Sequence, residues 1–102
     1  MNNERKQINS RQKQIKKEIE SLREELLSLR KGHINILYRN NKAYYYLTYR
    51  EKDKIKNDYL GPVGKADLDD ILPDLNKREN IKKQIRNLKE EYENLKNRKK
   101  NV

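Results

Sequence analysis

The sequence predicts an α+β chain: a long antiparallel helical hairpin (coiled coil) with a small three-stranded antiparallel β-meander inserted at its head. Three observations lead there. Apolar residues repeat with alternating spacings of four and three at both ends of the chain. The segment between them changes to strand period. Composition leaves little for a compact core, since 32% of the 102 residues are hydrophobic and 41% are charged. The expected layout is a single domain over residues 1–102. It comprises a first helix over 4–31, a meander over 33–60, a short helix over 65–72 and a second long helix over 76–100.

Residues 4–31 contain neither Gly nor Pro. Ile8, Ile15, Leu22 and Leu29 lie seven apart, and Gln12, Ile19 and Leu26 fill the intermediate positions. This is the narrow seam of a coiled coil, not the broad stripe of a globular helix. Asn2 or Asn3 can cap the start, and Arg30, Lys31 and Gly32 make a stop. Near the other terminus Ile81, Leu88, Leu95 and Val102 repeat the pattern, with Ile85, Tyr92 and Lys99 between them. Asn76 and Glu79 have capping-box spacing ahead of that run. Two seams of equal length, separated by a segment long enough to reverse direction, predict an intramolecular antiparallel pair. Glu18, Glu20, Glu24 and Glu25 would then oppose Lys82, Lys83, Arg86 and Lys89. Glu90, Glu91 and Glu93 would oppose Lys13, Lys16 and Lys17.

Between the helices Ile34, Ile36 and Tyr38 alternate with polar residues, and Asn40-Asn41-Lys42 makes a turn. Tyr44 to Arg50 has the strongest β-propensity of the chain. Glu51-Lys52-Asp53 turns again before Lys54 to Leu60, and Gly61-Pro62-Val63-Gly64 ends the sheet. Leu68, Ile71, Leu72 and Leu75 would cover one side of it, and Pro73 would redirect the chain into the last helix.

Taken face by face, this meander puts Ile34, Ile36, Tyr38, Tyr45, Leu47, Tyr49, Ile55 and Tyr59 on a core side. Arg39, Tyr44, Tyr46, Thr48, Arg50, Lys54 and Lys56 fall on the other side, beside Leu37 and with Asp58 near the end. Tyrosines surrounded by cations suit nucleic acid, with rings stacking on bases and Lys and Arg meeting phosphates. The same tyrosines also suit simple cross-strand packing. A second basic site lies at the chain ends. Arg11 and Lys13 belong to a block of net +5 over residues 1–17, and Lys96, Arg98, Lys99 and Lys100 give +4 over 95–102.

The overall charge of +10 and a pI near 9.8 point to an anionic partner. The chain has no cysteine, which excludes disulfides and thiolate metal sites. His33 is the only histidine and is expected to contact helical carbonyls at a junction. Asp67, Asp69, Asp70 and Asp74 fit no calcium loop and read as helix N-terminal charge. No enzyme activity, cofactor, metal site or membrane span is expected, and the location is expected to be cytoplasmic.

The stretch from Ala43 to Glu51, followed by Lys54-Ile55-Lys56 and Tyr59-Leu60-Gly61-Pro62, resembles a recurring hairpin signature. It is similar to small archaeal and bacterial proteins of unknown function that carry a YYYLxYR strand followed by KxKxxYLG. It also resembles the N-terminal hairpin of some insertion-element transposases. Glu51-Lys52-Asp53 stands where those hairpins have Glu-Gly-Gly, and the transposase catalytic domain has no counterpart. The resemblance implies a nucleic-acid-associated hairpin and transfers no catalytic residue. The leading expectation is a non-enzymatic DNA- or RNA-binding protein. The rival is a coiled-coil adaptor that dimerises or docks on an acidic protein.

Overall fold

The computed structural model describes residues 3–102, so the cap expected at Asn2 lies outside the described residues. The chain is α+β, in the order α1 (Asn3–Leu27), β1 (His33–Arg39), β2 (Lys42–Glu51), β3 (Lys54–Pro62) and α2 (Leu72–Lys99). Its contacts group into two compact units, one of residues 3–28 with 79–102 and one of residues 29–78.

In the helical unit the apolar repeat acts as a seam. Ile8, Gln12 and Ile15 are buried on α1, and Ile81 and Ile85 on α2. Ile19, Leu22, Leu26, Leu88, Tyr92, Leu95 and Lys99 are half-buried, and nearly all residues between them are exposed. Two ion pairs fix the helix directions. Arg98 Nη2 lies 2.6 Å from Glu4 Oε1. Arg11 donates from Nε to Glu91 Oε2 at 2.6 Å and from Nη2 to Glu91 Oε1 at 3.0 Å. Residue numbers rise on α1 as they fall on α2, so the helices run antiparallel. The partner of Glu91 is Arg11 and not the lysines expected from charge pattern. A planar guanidinium can meet both carboxylate oxygens, whereas an ammonium cannot. Lys16 Nζ instead stands 5.6 Å from the centre of the Tyr92 ring.

Both helix boundaries depart from the expected ones. α1 stops at Leu27 rather than at residue 31, because Ser28 tightens the last turn. Both its N–H and its hydroxyl donate to the Glu25 carbonyl, at 3.2 and 2.8 Å. Gly32 is therefore not a helix cap. Its φ is +119°, and a Cβ there would meet the Thr48 carbonyl oxygen at 2.5 Å. Close approach to β2 is what requires glycine. The expected short helix over 65–72 is absent. Asp69 N–H donates to Asp67 Oδ1 at 3.0 Å, making a side-chain-closed turn. α2 begins at Leu72 with Pro73 in its first turn, where the missing N–H costs nothing, so Pro73 starts the helix instead of interrupting it. Asn76 accordingly lies inside α2 and caps nothing. Asp74 accepts from the Arg30 N–H at 3.1 Å.

The sheet is an antiparallel meander in the order β1-β2-β3. Both turns contain two residues at positive φ: Asn40 and Asn41 at 50° and 64°, Lys52 and Asp53 at 48° and 67°. This mirror-image turn matches the twist of the flanking strands. It pairs Arg39 with Lys42 and Glu51 with Lys54. Between Tyr45 and Tyr46 the β2–β3 register shifts, leaving Leu60 as the extra residue before Gly61. Leu47 and Ile71 are the buried apolar side chains of this unit among the described residues.

Two outcomes follow from these contacts. Asn is far better suited than Lys to the left-handed region, and Gly better than Asp. Lys52→Asn with Asp53→Gly should stabilise the fold by about 1 kcal/mol, raising the melting temperature by roughly 4–8 °C in a dichroism melt. In the helical unit, the Arg11 hydrogen bond holds the Glu91 carboxyl below its ordinary 4.5, against an opposing effect of burial. A folded-state value lowered in this way gives stability that is full above the unfolded pKa and lost as pH falls through the folded one. Arg11→Gln should move the Glu91 carboxyl resonance midpoint upward toward 4.5 and remove that acid-side loss.

Candidate nucleic-acid interface

The turn length decides which side chains share a face. Residues paired across an antiparallel ladder point the same way, and alternate residues along a strand point oppositely. One face therefore carries Ile34, Ile36, Tyr38, Ala43, Tyr45, Leu47, Tyr49, Glu51, Lys54, Lys56 and Asp58. The other carries His33, Asn35, Leu37 and Arg39 from β1, then Lys42, Tyr44, Tyr46, Thr48 and Arg50 from β2. Ile55, Asn57, Tyr59 and Pro62 of β3 complete it.

This corrects the expected faces for all of β3. A three-residue turn at 51–53 would have paired Arg50 with Lys54. The two-residue turn pairs Glu51 with Lys54 and reverses every side chain that follows. Lys54 and Lys56 leave the tyrosine face, and Lys56 Nζ lies 3.5 Å from Glu51 Oε2 on the opposite side. Asp58 leaves with them and accepts from the Tyr49 hydroxyl at 3.3 Å. Burial, and then that hydrogen bond, hold the Tyr49 phenol above its ordinary pKa, so it stays a neutral donor. Ile55 and Tyr59 join the tyrosine face in exchange.

On that face Tyr59 touches both β2 tyrosines. Its ring centre is 5.4 Å from that of Tyr46, nearly edge-on, and 6.1 Å from that of Tyr44, tilted. Tyr44 and Tyr46 are half-buried, while Tyr59 is 56% exposed and presents the most open ring of the three. A polar ladder runs beside them across all three strands. Asn35 Nδ2 donates to Thr48 Oγ1 at 2.6 Å, and Thr48 Oγ1 donates to Asn57 Oδ1 at 2.6 Å. Exposed cations stand at the two ends: Arg39 and Lys42 paired beside the first turn, Arg50 at the far end of β2. Among the described residues of this face there is no carboxylate. His33 opens β1, exposed at its edge.

The remaining predicted site residues lie in the helical unit. Arg11 is committed to Glu91, with Gln14 and Glu18 also at its guanidinium, and Arg98 is committed to Glu4. Lys13, Lys96 and Lys100 are exposed, and Lys99 is half-buried on the seam. Sequence reasoning thus brought Arg39, Tyr44, Tyr46 and Arg50 together correctly. It missed Asn35, Lys42, Asn57 and Tyr59 as members of that face. For Asn57 and Tyr59 the signal was the length of the turn at Lys52 and Asp53, whereas Asn35 follows from alternation on β1 and Lys42 from its pairing with Arg39. Among the described residues no group of three or more His, Cys, Asp and Glu side chains is placed to hold a metal ion. No helix among them is long and apolar enough to cross a membrane.

No curated protein and no solved structure matches the chain. One family does, over residues 5–70, a span that contains nearly all of α1 and the whole sheet. The chain belongs to the family described as Domain of unknown function (DUF6788).

Proposed function

We propose that this protein binds single-stranded nucleic acid, without catalysis, through the tyrosine face of its sheet. The observation that carries the reading is the cluster of Tyr44, Tyr46 and Tyr59 on a face with three cations and no carboxylate. Unpaired bases stack on exposed aromatic rings with little regard to sequence, each such contact contributing about 1–3 kcal/mol. Phosphates flanking the stacked bases would meet Arg39 and Lys42 at one end and Arg50 at the other. These ends are eight residues apart along β2, or roughly 27 Å at about 3.4 Å per residue, room for several nucleotides. A carboxylate anywhere along this path would repel the backbone. Turn geometry sends Glu51 and Asp58 to the opposite face.

The exposed lysines of the helical unit, Lys13, Lys96 and Lys100, would add a sequence-independent attraction. The proposal includes a cytoplasmic location, and the expected resemblance of the hairpin to the N-terminal segment of some insertion-element transposases belongs to the same reading. A coiled-coil adaptor is the second reading. It draws on Leu27, which is 87% exposed, and on the grooves beside the helical seam, one lined by Leu22 and Leu88 and the other by Ile19 and Tyr92.

Fluorescence anisotropy with a labelled single-stranded 12-mer tests the proposal. For single strands the log–log salt slope is about −0.7 per phosphate contact. Arg39→Gln with Lys42→Gln should therefore flatten the slope by roughly 1.4. Tyr59→Thr should weaken binding by about 1–3 kcal/mol while the sheet still melts cooperatively. Binding that ignores all three changes would remove the tyrosine face from the site. Concentration-dependent dimerisation with no strand binding would favour the adaptor.

A further inference from the structure

The hydrogen-bonded ladder beside the tyrosines has a geometry that stacking alone does not need. The Thr48 hydroxyl accepts from Asn35 Nδ2 and donates to Asn57 Oδ1, both at 2.6 Å. Its single proton and an acceptor site are both used, so the Asn57 amide can turn over only if the Asn35 amide turns with it. Asn57 nevertheless keeps both Nδ2 hydrogens and one Oδ1 lone pair. Its side chain is exposed to solvent. It lies two residues along β3 from Tyr59, about 7 Å at roughly 3.4 Å per residue, and directly opposite Thr48 on β2. The distance suits one nucleotide, with the base plane on the ring and the base edge toward the amide.

We infer that Asn57, held by Thr48 and Asn35, reads the edge of an unpaired base stacked on Tyr59, so that binding is base-selective. This rests on the proposed single-strand binding and deepens it. A carboxamide offers a donor and an acceptor side by side, and unpaired bases present the complementary pair on their edges. In a duplex the Watson–Crick edges are already occupied, so the arrangement selects single strands. The coupling matters because a freely turning amide can present either atom and would accept opposite donor–acceptor orders equally. A fixed one favours the base whose order matches. Neither Arg39, Lys42 nor Arg50 can provide this, since phosphates carry no sequence information.

The test compares labelled 12-mers of deoxyadenosine, deoxycytidine and thymidine with an abasic 12-mer, for the unmodified protein, Asn57→Ala and Thr48→Val. The unmodified protein should bind one homopolymer at least tenfold more tightly than another. Asn57→Ala should reduce that spread to about twofold, leaving abasic affinity and salt slope unchanged. Thr48→Val keeps the β-branched shape and should narrow the spread by freeing the amide. If the unmodified protein binds all three homopolymers within twofold, the base-edge inference fails and the binding proposal stands. If both variants weaken every strand equally, or leave the spread intact, the ladder serves only sheet stability and the inference is likewise overturned. Failure to bind any strand, abasic included, would end the binding proposal itself.

Discussion

The surface chemistry of the sheet depends on one constraint, the two-residue turn at Lys52 and Asp53. With both residues at positive φ, Glu51 is forced opposite Lys54. A turn one residue longer would send Tyr59 and Asn57 to the far side and bring Lys54, Lys56 and Asp58 in their place. The tyrosine cluster, the amide ladder and the removal of carboxylate from that face would be lost together. Neither turn residue favours this backbone region as strongly as Asn or Gly. The conformation is held by the pairing on either side of it, not by local preference.

That division of charge separates two uses of the same residue types. On the opposite face Lys56 is near Glu51, and Asp58 accepts from Tyr49, so its ionic and polar groups answer one another. On the tyrosine face Arg39, Lys42 and Arg50 have no carboxylate on their own surface. Their field is uncompensated locally and forms part of the net +10 of the chain. In the helical unit Arg11 is committed to Glu91 and Arg98 to Glu4, while Lys13, Lys96 and Lys100 are exposed. Arg is the better side chain for a fixed, bidentate pair, and Lys for a mobile hydrated charge. The basic ends therefore include both paired guanidiniums, Arg11 and Arg98, and exposed ammoniums, Lys13, Lys96 and Lys100.

What the sequence makes legible follows the range of the responsible interaction. The two seams were readable because burial at Ile8, Ile15, Ile81 and Ile85 follows from helical period, which needs only a few neighbouring residues. The strands were readable for the same reason, through alternation and the β-propensity of residues 44–50. The sides of β3 were not, because they depend on a single count at a turn whose residues, Lys and Asp, do not advertise positive φ. Gly32 was misread for a related reason. Glycine after basic residues imitates a helix stop, whereas its requirement comes from the Thr48 carbonyl on β2. Pro73 likewise has opposite meanings inside a helix and in its first turn.

The tyrosines cannot be divided cleanly between structure and binding, and the small sheet explains why. Leu47 and Ile71 are the buried apolar side chains of the unit among its described residues, so half-buried aromatics must contribute to its stability. Contacts such as Tyr46–Tyr59 and Tyr44–Tyr59 are worth about 0.5–1.5 kcal/mol each beyond area burial. A base stacked on Tyr59 would cover a ring that is now 56% exposed, extending the aromatic cluster outward without displacing it. Such a ligand would bind only the folded sheet and so would stabilise it by mass action, in proportion to the logarithm of its concentration over its dissociation constant. Stability and affinity are then coupled through the same three rings. A sheet with a larger core could have carried exposed tyrosines for binding alone; in this one the proposed binding would draw on the same rings that stabilise the fold.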